Sequence, residues 1–270
     1  MRAEVVANRE ISASHFRMGL ICSGLKADYE PGQFVMVRIG EGCEPLLRRP
    51  FSIHWMEGQY LELLYRVVGK GTQRMASLGP GQELDLLGPL GKGFRIPEDW
   101  HFALLVAGGM GVAPLRALAA RLSLHAKPAR VESQHRQRRI CLLIGAKRAE
   151  EILCREDFER LGVQVLVASE DGSLGEKGMA TDLLRGVLSR CRSEEELPSA
   201  LYACGPRPML ARVAQMAGER GIACQVSLEE FMACGIGACM GCAVRVRHQE
   251  SPYEMVCKDG PVFDARVIQW

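Results

Sequence analysis

The chain has 270 residues, enough for two or three domains. It is 47% hydrophobic and 24% charged with a net charge of +2, an ordinary globular composition that excludes a general attraction to nucleic acid or to an anionic membrane. No apolar run approaches the roughly 20 residues of a membrane span, and the opening MRAEVVANREIS puts charges where an export signal has its apolar centre, so a cytoplasmic protein is expected.

Up to about residue 98 the pattern is β. QFVMVRI, PFSIHWM, YLELLYRVV and ELDLLG are short, apolar and rich in β-branched or aromatic residues, with Gly and Pro punctuation between them. Such strands predict a small antiparallel barrel over 1–98. From about residue 99 the period changes. FALLVAGG reads as a buried strand running into the helix VAPLRALAARLSLH, where Leu115, Leu118, Ala119 and Leu122 share a face. Strands ICLLIGA, VQVLVAS, ALYACG and ACQVSLE then alternate with helices over 150–162, 180–191 and 207–221. That alternation predicts a parallel sheet wound with helices on both faces over 99–226. Residues 126–139, AKPARVESQHRQRR, interrupt the rhythm with five basic residues and one acidic. A solvated loop is the expectation there, a docking patch the alternative. Residues 227–270 show neither helical nor strand periodicity and no internal repeat is present.

Eleven cysteines are many for a chain without an export signal. Seven (Cys22, Cys43, Cys141, Cys154, Cys191, Cys204, Cys224) are scattered, several in apolar runs, as small buried hydrophobes are. The other four follow the spacing Cys234-x4-Cys239-x2-Cys242-x14-Cys257. C-x4-C-x2-C with a distant fourth Cys is the plant-type pattern for a [2Fe–2S] centre. Gly235, Gly237 and Gly241 let the loop turn tightly around it with positive φ and no Cβ in the way. Zinc fits less well, because its structural sites pair ligands two and two along the chain.

A one-electron centre needs a redox partner. In RRPFSI (Arg48 to Ile53) an Arg can meet a flavin diphosphate, a Ser can hydrogen-bond and an aromatic ring can pack on the isoalloxazine. In YRVVGKGT (Tyr65 to Thr72), Gly69 and Gly71 would open backbone amides to phosphate, with Thr72 as an added donor at a helix start. GGMGVAPL follows a buried strand and opens a helix, the setting for a dinucleotide diphosphate, so Gly108, Gly109 and Gly111 are candidate contacts. A second strand-to-helix turn, YACGPRPML, offers Cys204 and Gly205 to a nicotinamide. The strand VQVLVAS ends in Glu170 and Asp171, which can bind a ribose 2′-hydroxyl and would repel a 2′-phosphate; NAD is favoured over NADP. His54 lies beside these motifs, and a structural histidine is the expected reading.

Taken in order, RRPFSI, YRVVGKGT, GPLGKGF, GGMGVAPL, ACGPRPML, EEFMACGIGACMGC and CKDGPVFDA make the chain similar to the ferredoxin reductase-like flavoproteins. Within them it most resembles the electron-transfer subunits of dihydroorotate dehydrogenase B. The resemblance implies three modules: an FAD-binding barrel (1–98), a NAD-binding α/β domain (99–226) and a small C-terminal [2Fe–2S] domain (227–270). It implies FAD contacts from Arg49, Pro50, Phe51 and Ser52, then Leu64, Tyr65 and Arg66, then Gly71 and Thr72. It implies Cys234, Cys239, Cys242 and Cys257 as cluster ligands. It also implies a separate FMN-containing catalytic subunit that oxidises dihydroorotate in pyrimidine biosynthesis, in a heterotetramer of two copies of each. Phe51 stands where wider relatives often carry Tyr, and the 126–139 segment is longer than the family pattern suggests.

The function so expected is that of an oxidoreductase subunit that passes electrons between the partner and NAD⁺ and needs no acid–base residue of its own. A reductase subunit linked to NADPH and to ferredoxin or sulfide would share every cofactor motif. A redox sensor would need the cluster but no nicotinamide site.

Overall fold

The computed structural model describes residues 1–25, 29–40, 45–126, 138–247 and 251–270. Six strands, β1 (Arg2–Ser12), β2 (His15–Cys22), β3 (Phe34–Arg38), β4 (Arg49–Glu57), β5 (Tyr60–Arg66) and β6 (Glu83–Leu90), close into an antiparallel barrel. The order around it is β1-β2-β5-β4-β3-β6, and one helix, α1 (Lys70–Ala76), follows β5. Alternate residues fill the interior, among them Val5, Leu20, Val35, Val37, Leu63 and Leu86. The apolar runs in the sequence mark β3 to β6 but not β1 and β2. Of β1 only Ala3 and Val5 are buried, and the rest of the strand faces outward with charges. Strand β2 contains Gly19, where a Cβ would come within 2.7 Å of the Tyr60 hydroxyl oxygen.

The second module is a sheet of seven strands in the order β10-β9-β8-β7-β11-β12-β15. Strands β7 (Phe102–Gly108), β8 (Arg139–Ala146), β9 (Gln164–Ser169), β10 (Glu176–Lys177), β11 (Ala200–Cys204) and β12 (Cys224–Ser227) run parallel. The central strands are apolar on both faces. Leu104, Val106, Leu143 and Leu201 meet α4 (Ala180–Arg190) and α5 (Arg207–Glu219), whereas Leu105, Leu142, Ile144 and Tyr202 meet α2 (Val112–Ala126) and α3 (Arg155–Glu159). Burial on both sides explains their unbroken hydrophobic runs. Leu115, Leu118, Ala119 and Leu122 of α2 lie together in that second core.

Two expectations change. The pattern predicts one helix over 150–162, but the structure has a 3₁₀ turn at Ala149–Glu151 and then the short α3. Cys154 stands between them at φ 57, a left-handed conformation that a helix cannot pass through. The C-terminal segment also has strands of its own. The pair β13 (Ala243–Arg245) and β14 (Tyr253–Met255) forms a hairpin, and β15 (Val262–Asp264) joins the main sheet antiparallel to β12. The expected basic loop at 126–139 falls on residues 127–137, which lie outside the described residues.

The barrel meets the sheet module along a polar seam. His54 of β4 is fully buried there, its Nδ1 3.0 Å from the Ala113 carbonyl oxygen of α2. Arg17 of β2 donates to Asp157 and to the Cys154 sulfur at the start of α3. Burial, reinforced by the Arg116 charge, lowers the His54 pKa from 6.5 to about 3. The unfolded chain therefore binds a proton below pH 6.5 that the folded chain refuses. Stability from the neutral imidazole is complete above the unfolded value and is lost as pH falls toward the folded one, at about 1.4 kcal/mol per pH unit. Urea unfolding between pH 6.5 and about 5 is expected to show that extra slope in the native chain and to lose it in His54→Leu. Equal slopes in the two proteins would mean that the imidazole is protonated in the fold.

Candidate functional site

A cavity of about 1070 Å³ opens where the barrel, the sheet module and the C-terminal segment meet. Arg49, Pro50, Phe51 and Ser52 of β4, Leu64, Tyr65 and Arg66 of β5, and Gly71 and Thr72 of α1 all line it. The structure thus brings together every residue for which the resemblance implied an FAD contact. The adjacent arginines divide their work. Arg48 donates to the backbone and side chain of Asp85 on β6 and so fastens the barrel, whereas Arg49 borders the cavity. A Cβ on Gly71 would sit 3.6 Å from the Arg49 Nε and 3.3 Å from the Ile39 side chain, so the glycine lies close beside that guanidinium. A smaller hollow of about 660 Å³ continues past Arg49 and Lys70 to Arg74.

Thr72 acts differently from the sequence expectation of a spare donor. Its hydroxyl accepts from the Val68 and Gly69 amides at 2.8 and 3.2 Å and donates to the Gly69 carbonyl at 3.1 Å, which fixes the turn into α1. Tyr65 is braced in the same way: its ring stacks on Phe16 at 5.5 Å, meets the Phe51 edge at 5.9 Å, and its hydroxyl donates to Asn8 at 3.0 Å.

The two glycine turns of the sheet module are packed backbone on backbone. A Cβ on Gly111 would lie 1.9 Å from the Cys204 carbonyl oxygen, and one on Gly205 would lie 2.9 Å from the Gly108 nitrogen. Neighbouring strands β7 and β11 deliver both turns to the same sheet edge, so Gly108, Gly111, Cys204 and Gly205 converge. Gly109, at φ 52 with nothing within 4 Å of a built Cβ, faces open space. The Cys204 thiol is pushed well above its ordinary value by burial, with the Glu229 carboxylate adding to the effect.

Glu170 and Asp171 stand apart from the cavity, at the end of β9, beyond β8 from the glycine turn. Asp171 accepts from the Ser173 amide at 2.9 Å and hydroxyl at 2.6 Å, which holds its carboxyl below the usual range. Glu170 is exposed.

In the cysteine segment, backbone amides point at the sulfurs. Ile236 and Cys239 donate to the Cys234 Sγ at 3.4 Å, Gly237 to Cys257 at 3.1 Å, Cys257 to Cys242 at 3.4 Å and Gly241 to Cys239 at 3.5 Å. Cys234 interacts with Cys239, and Cys257 with Cys242 and also with Cys234, so the four sulfurs form one cluster. Four sulfurs, each met by a backbone amide, fit a two-iron centre with two thiolates on each iron. Gly235 and Gly237 have φ of 74 and 80, but the third left-handed residue is Met240, not Gly241. Gly241 instead passes close to sulfur, a Cβ there lying 3.5 Å from the Cys239 Sγ.

Met110, Ala113, Glu229, Phe231 and Ala233 also line the large cavity and were not singled out individually from the sequence. Phe231, 94% exposed beside the first cysteine, carried the one sequence signal, an aromatic in EEFMACG. Ala233 and Gly241 place the cysteine loop at the same cavity as Ser52 and Tyr65.

Comparison with known proteins agrees with this geometry. Residues 229–269 match the iron–sulfur cluster binding domain of dihydroorotate dehydrogenase B, and residues 105–215 match an oxidoreductase NAD-binding domain. The chain is 36% identical to the electron transfer subunit of dihydroorotate dehydrogenase B (NAD⁺) from Caldanaerobacter subterraneus, over 99% of this chain and 98% of the relative. The namesake from Geobacillus kaustophilus is 38% identical over 98% of this chain and 96% of its own length. A solved structure of an NADH-dependent reduced ferredoxin–NADP oxidoreductase, studied for flavin-based electron bifurcation, superposes with a TM-score of 0.83 at 26% identity, over 99% of this chain and 90% of that one. The ferredoxin reductase of carbazole 1,9a-dioxygenase shares the fold at a TM-score of 0.65 and 21% identity, over 82% of this chain and 66% of that one. Identity of 36% and 38% over nearly the full length, with the cluster-domain match, shows that the chain belongs to the family of dihydroorotate dehydrogenase B electron-transfer subunits.

Proposed function

We propose that this chain is the electron-transfer half of an NAD-dependent dihydroorotate dehydrogenase, passing electrons from an FMN-containing catalytic subunit to NAD⁺ in pyrimidine biosynthesis. The observation that carries the reading is the convergence at one cavity of the β4–β5 residues, the nucleotide-side residues Met110 and Ala113, and the cysteine loop. FAD, [2Fe–2S] and NAD(H), bound there, supply one-electron exchange at the cluster, one- and two-electron exchange at the flavin, and hydride acceptance at the nicotinamide.

The residues divide the binding. Arg49, Pro50, Phe51, Ser52, Leu64, Tyr65, Arg66, Gly71 and Thr72 would hold FAD, with Arg49 as the counter-charge to the diphosphate. Gly108, Gly109 and Gly111, opening into α2, would receive the dinucleotide diphosphate, with Cys204 and Gly205 beside the nicotinamide. Glu170 and Asp171 would meet the adenosine ribose across β8. Cys234, Cys239, Cys242 and Cys257 would ligate the cluster. We place the module boundaries at 1–98, 99–226 and 227–270, with β15 returning to the sheet. Two copies of each subunit would make the complex. Among the described residues no helix is long and apolar enough to cross a membrane.

The likeness to the ferredoxin–NADP oxidoreductase structure supports the rival reading, a reductase linked to NADPH and ferredoxin. The chain, a purified FMN-type dihydroorotate dehydrogenase catalytic subunit, and their mixture, each assayed with dihydroorotate and NAD⁺, separate the two. Turnover by the mixture and not by this chain alone is expected. No gain on mixing, with both cofactor sets verified, would favour the rival.

Cys239→Ser, at the exposed ligand, is expected to lose the iron–sulfur absorbance and acid-labile sulfide while keeping FAD, because the flavin residues lie on the barrel. Zinc without labile sulfide in the native chain would sink the cluster assignment. NADH is expected to reduce the flavin more efficiently than NADPH by roughly 5- to 150-fold, the equivalent of about 1–3 kcal/mol for a like-charge clash or lost hydrogen bond. Equal efficiency would remove Glu170 and Asp171 from the nucleotide site.

A further inference from the structure

Strand β4 does two things in six residues. Arg49 to Ser52 line the large cavity, and two residues later His54 is completely buried against the sheet module. Its Nδ1 lies 3.0 Å from the carbonyl oxygen of Ala113. A carbonyl can only accept, so Nδ1 carries the proton and donates. Ala113 is the second residue of α2, directly after the Gly108–Gly111 turn, and itself lines the cavity. One hydrogen bond therefore ties the flavin-side strand to the nucleotide-side helix at the cavity wall.

The other ring nitrogen, Nε2, is buried without a hydrogen-bond partner. It lies with the Cys154 sulfur and an Asp157 oxygen inside 4.8 Å, a grouping that resembles a metal site. The Arg17 guanidinium, however, donates to both Cys154 and Asp157 and already supplies the cation those groups need. Other links across the seam among the described residues include Arg121 to the Tyr29 carbonyl at 3.3 Å, Ser12 to the Glu150 carbonyl at 2.5 Å, and Arg116 over the Trp55 ring at 4.6 Å. The His54 bond alone among these joins the cavity strand to the first turn of α2.

Hydride transfer is steeply sensitive to the separation of donor and acceptor, and a displacement of about 1 Å costs roughly 100-fold in rate. We propose that His54 is a positioning residue that, through Nδ1–H and the Ala113 carbonyl, holds the flavin-side strand and the nucleotide-side helix at the spacing needed for hydride transfer, touching neither cofactor. This rests on the reading of the cavity as the flavin site and of the Gly108–Gly111 turn as the nucleotide site.

The test uses the full chain with FAD and cluster contents verified, mixed anaerobically with NADH in a stopped-flow instrument. His54→Leu is expected to lower the limiting rate of flavin reduction by about 10- to 100-fold, with the NADH concentration for half-maximal rate changed less than about twofold. NADH deuterated at the transferred hydrogen is expected to show a larger isotope effect in the variant than in the native chain, because the hydride step then limits more completely. His54→Asn keeps an amide donor near the Nδ1 position and is expected to recover the rate to within about threefold; His54→Gln, whose donor sits near Nε2, is expected to stay slow. Leu matching the native rate, or Asn as slow as Leu, would overturn the proposal. Should Leu lose cofactors, the Asn–Gln comparison decides, and equal rates there would overturn it. A native chain that holds FAD but is not reduced by NADH would overturn the underlying site reading, and the proposal with it.

Discussion

The pairing of β15 with β12 is the constraint on which the site depends. Val262, Phe263 and Asp264 align antiparallel with Ser227, Val226 and Gln225, and the Leu228 amide donates to the Pro261 carbonyl at 2.9 Å. The cysteine segment is thereby a loop anchored at both ends on the edge of the nucleotide-side sheet. Its near end, Glu229 to Ala233, runs along the large cavity. Its tip is pressed on the barrel, where a Cβ on Gly235 would come 2.5 Å from Met36. An independent cluster domain on a flexible tether would leave electron transfer to chance encounter. Two fixed ends and a glycine contact hold the cysteine loop beside the large cavity instead.

Glycine also permits close packing at the turns after β7 and β11, there backbone against backbone rather than against a side chain such as Met36. The 1.9 Å approach that a Gly111 Cβ would make to the Cys204 carbonyl leaves no substituent that could be accommodated by a rotamer change, since the obstacle is main chain. The glycines of GGMG thus serve two needs at once. Gly111 permits the packing against the end of β11, Gly108 leaves room for Pro206 and Met209 at the start of α5, and Gly109 keeps an open face.

Much of this was legible in the sequence because it is periodic or spaced. The central strands show themselves by unbroken apolar runs, since both faces are buried, and the cysteines by intervals that only a cluster requires. The parts that were not legible depend on partners far along the chain. Strands β1 and β2 hide because one carries the charges of Arg2, Glu4, Arg9 and Glu10 and the other is interrupted by Gly19, whose absent side chain makes room for Tyr60. The break at Cys154 arises at a non-glycine residue in a left-handed conformation, which carries no compositional mark. Strand β15 is three residues long and is a strand only because β12 presents an edge. In the site, the motifs on β4, β5 and α1 pointed to residues that line one cavity. The partners of the Thr72 hydroxyl and the φ of Gly241 were not legible, because both are set by the fold and not by the motif.

Burial sets the protonation of three groups, of which Tyr65 lines the cavity and Cys204 and His54 lie in the packing behind it. Desolvation pushes the Cys204 thiol well above its ordinary value, raises the Tyr65 phenol to about 12 and lowers the His54 imidazole to about 3. All three are neutral at physiological pH and none is poised to exchange a proton there, although general acid–base work calls for a group titrating near the working pH. Glu229 is shifted in the other sense for a carboxyl, upward from 4.5 by burial, and its charge acts on Cys204. Charged residues do border the cavity, Arg49, Arg66 and Lys70 on one side and Glu229 and Glu230 on the other. The buried neutral groups nevertheless suit a protein whose task is to keep redox centres apart by fixed distances and let hydride and electrons move between them. Proton abstraction from a carbon acid needs a different wall, and under the proposed division of labour that wall belongs to the catalytic subunit.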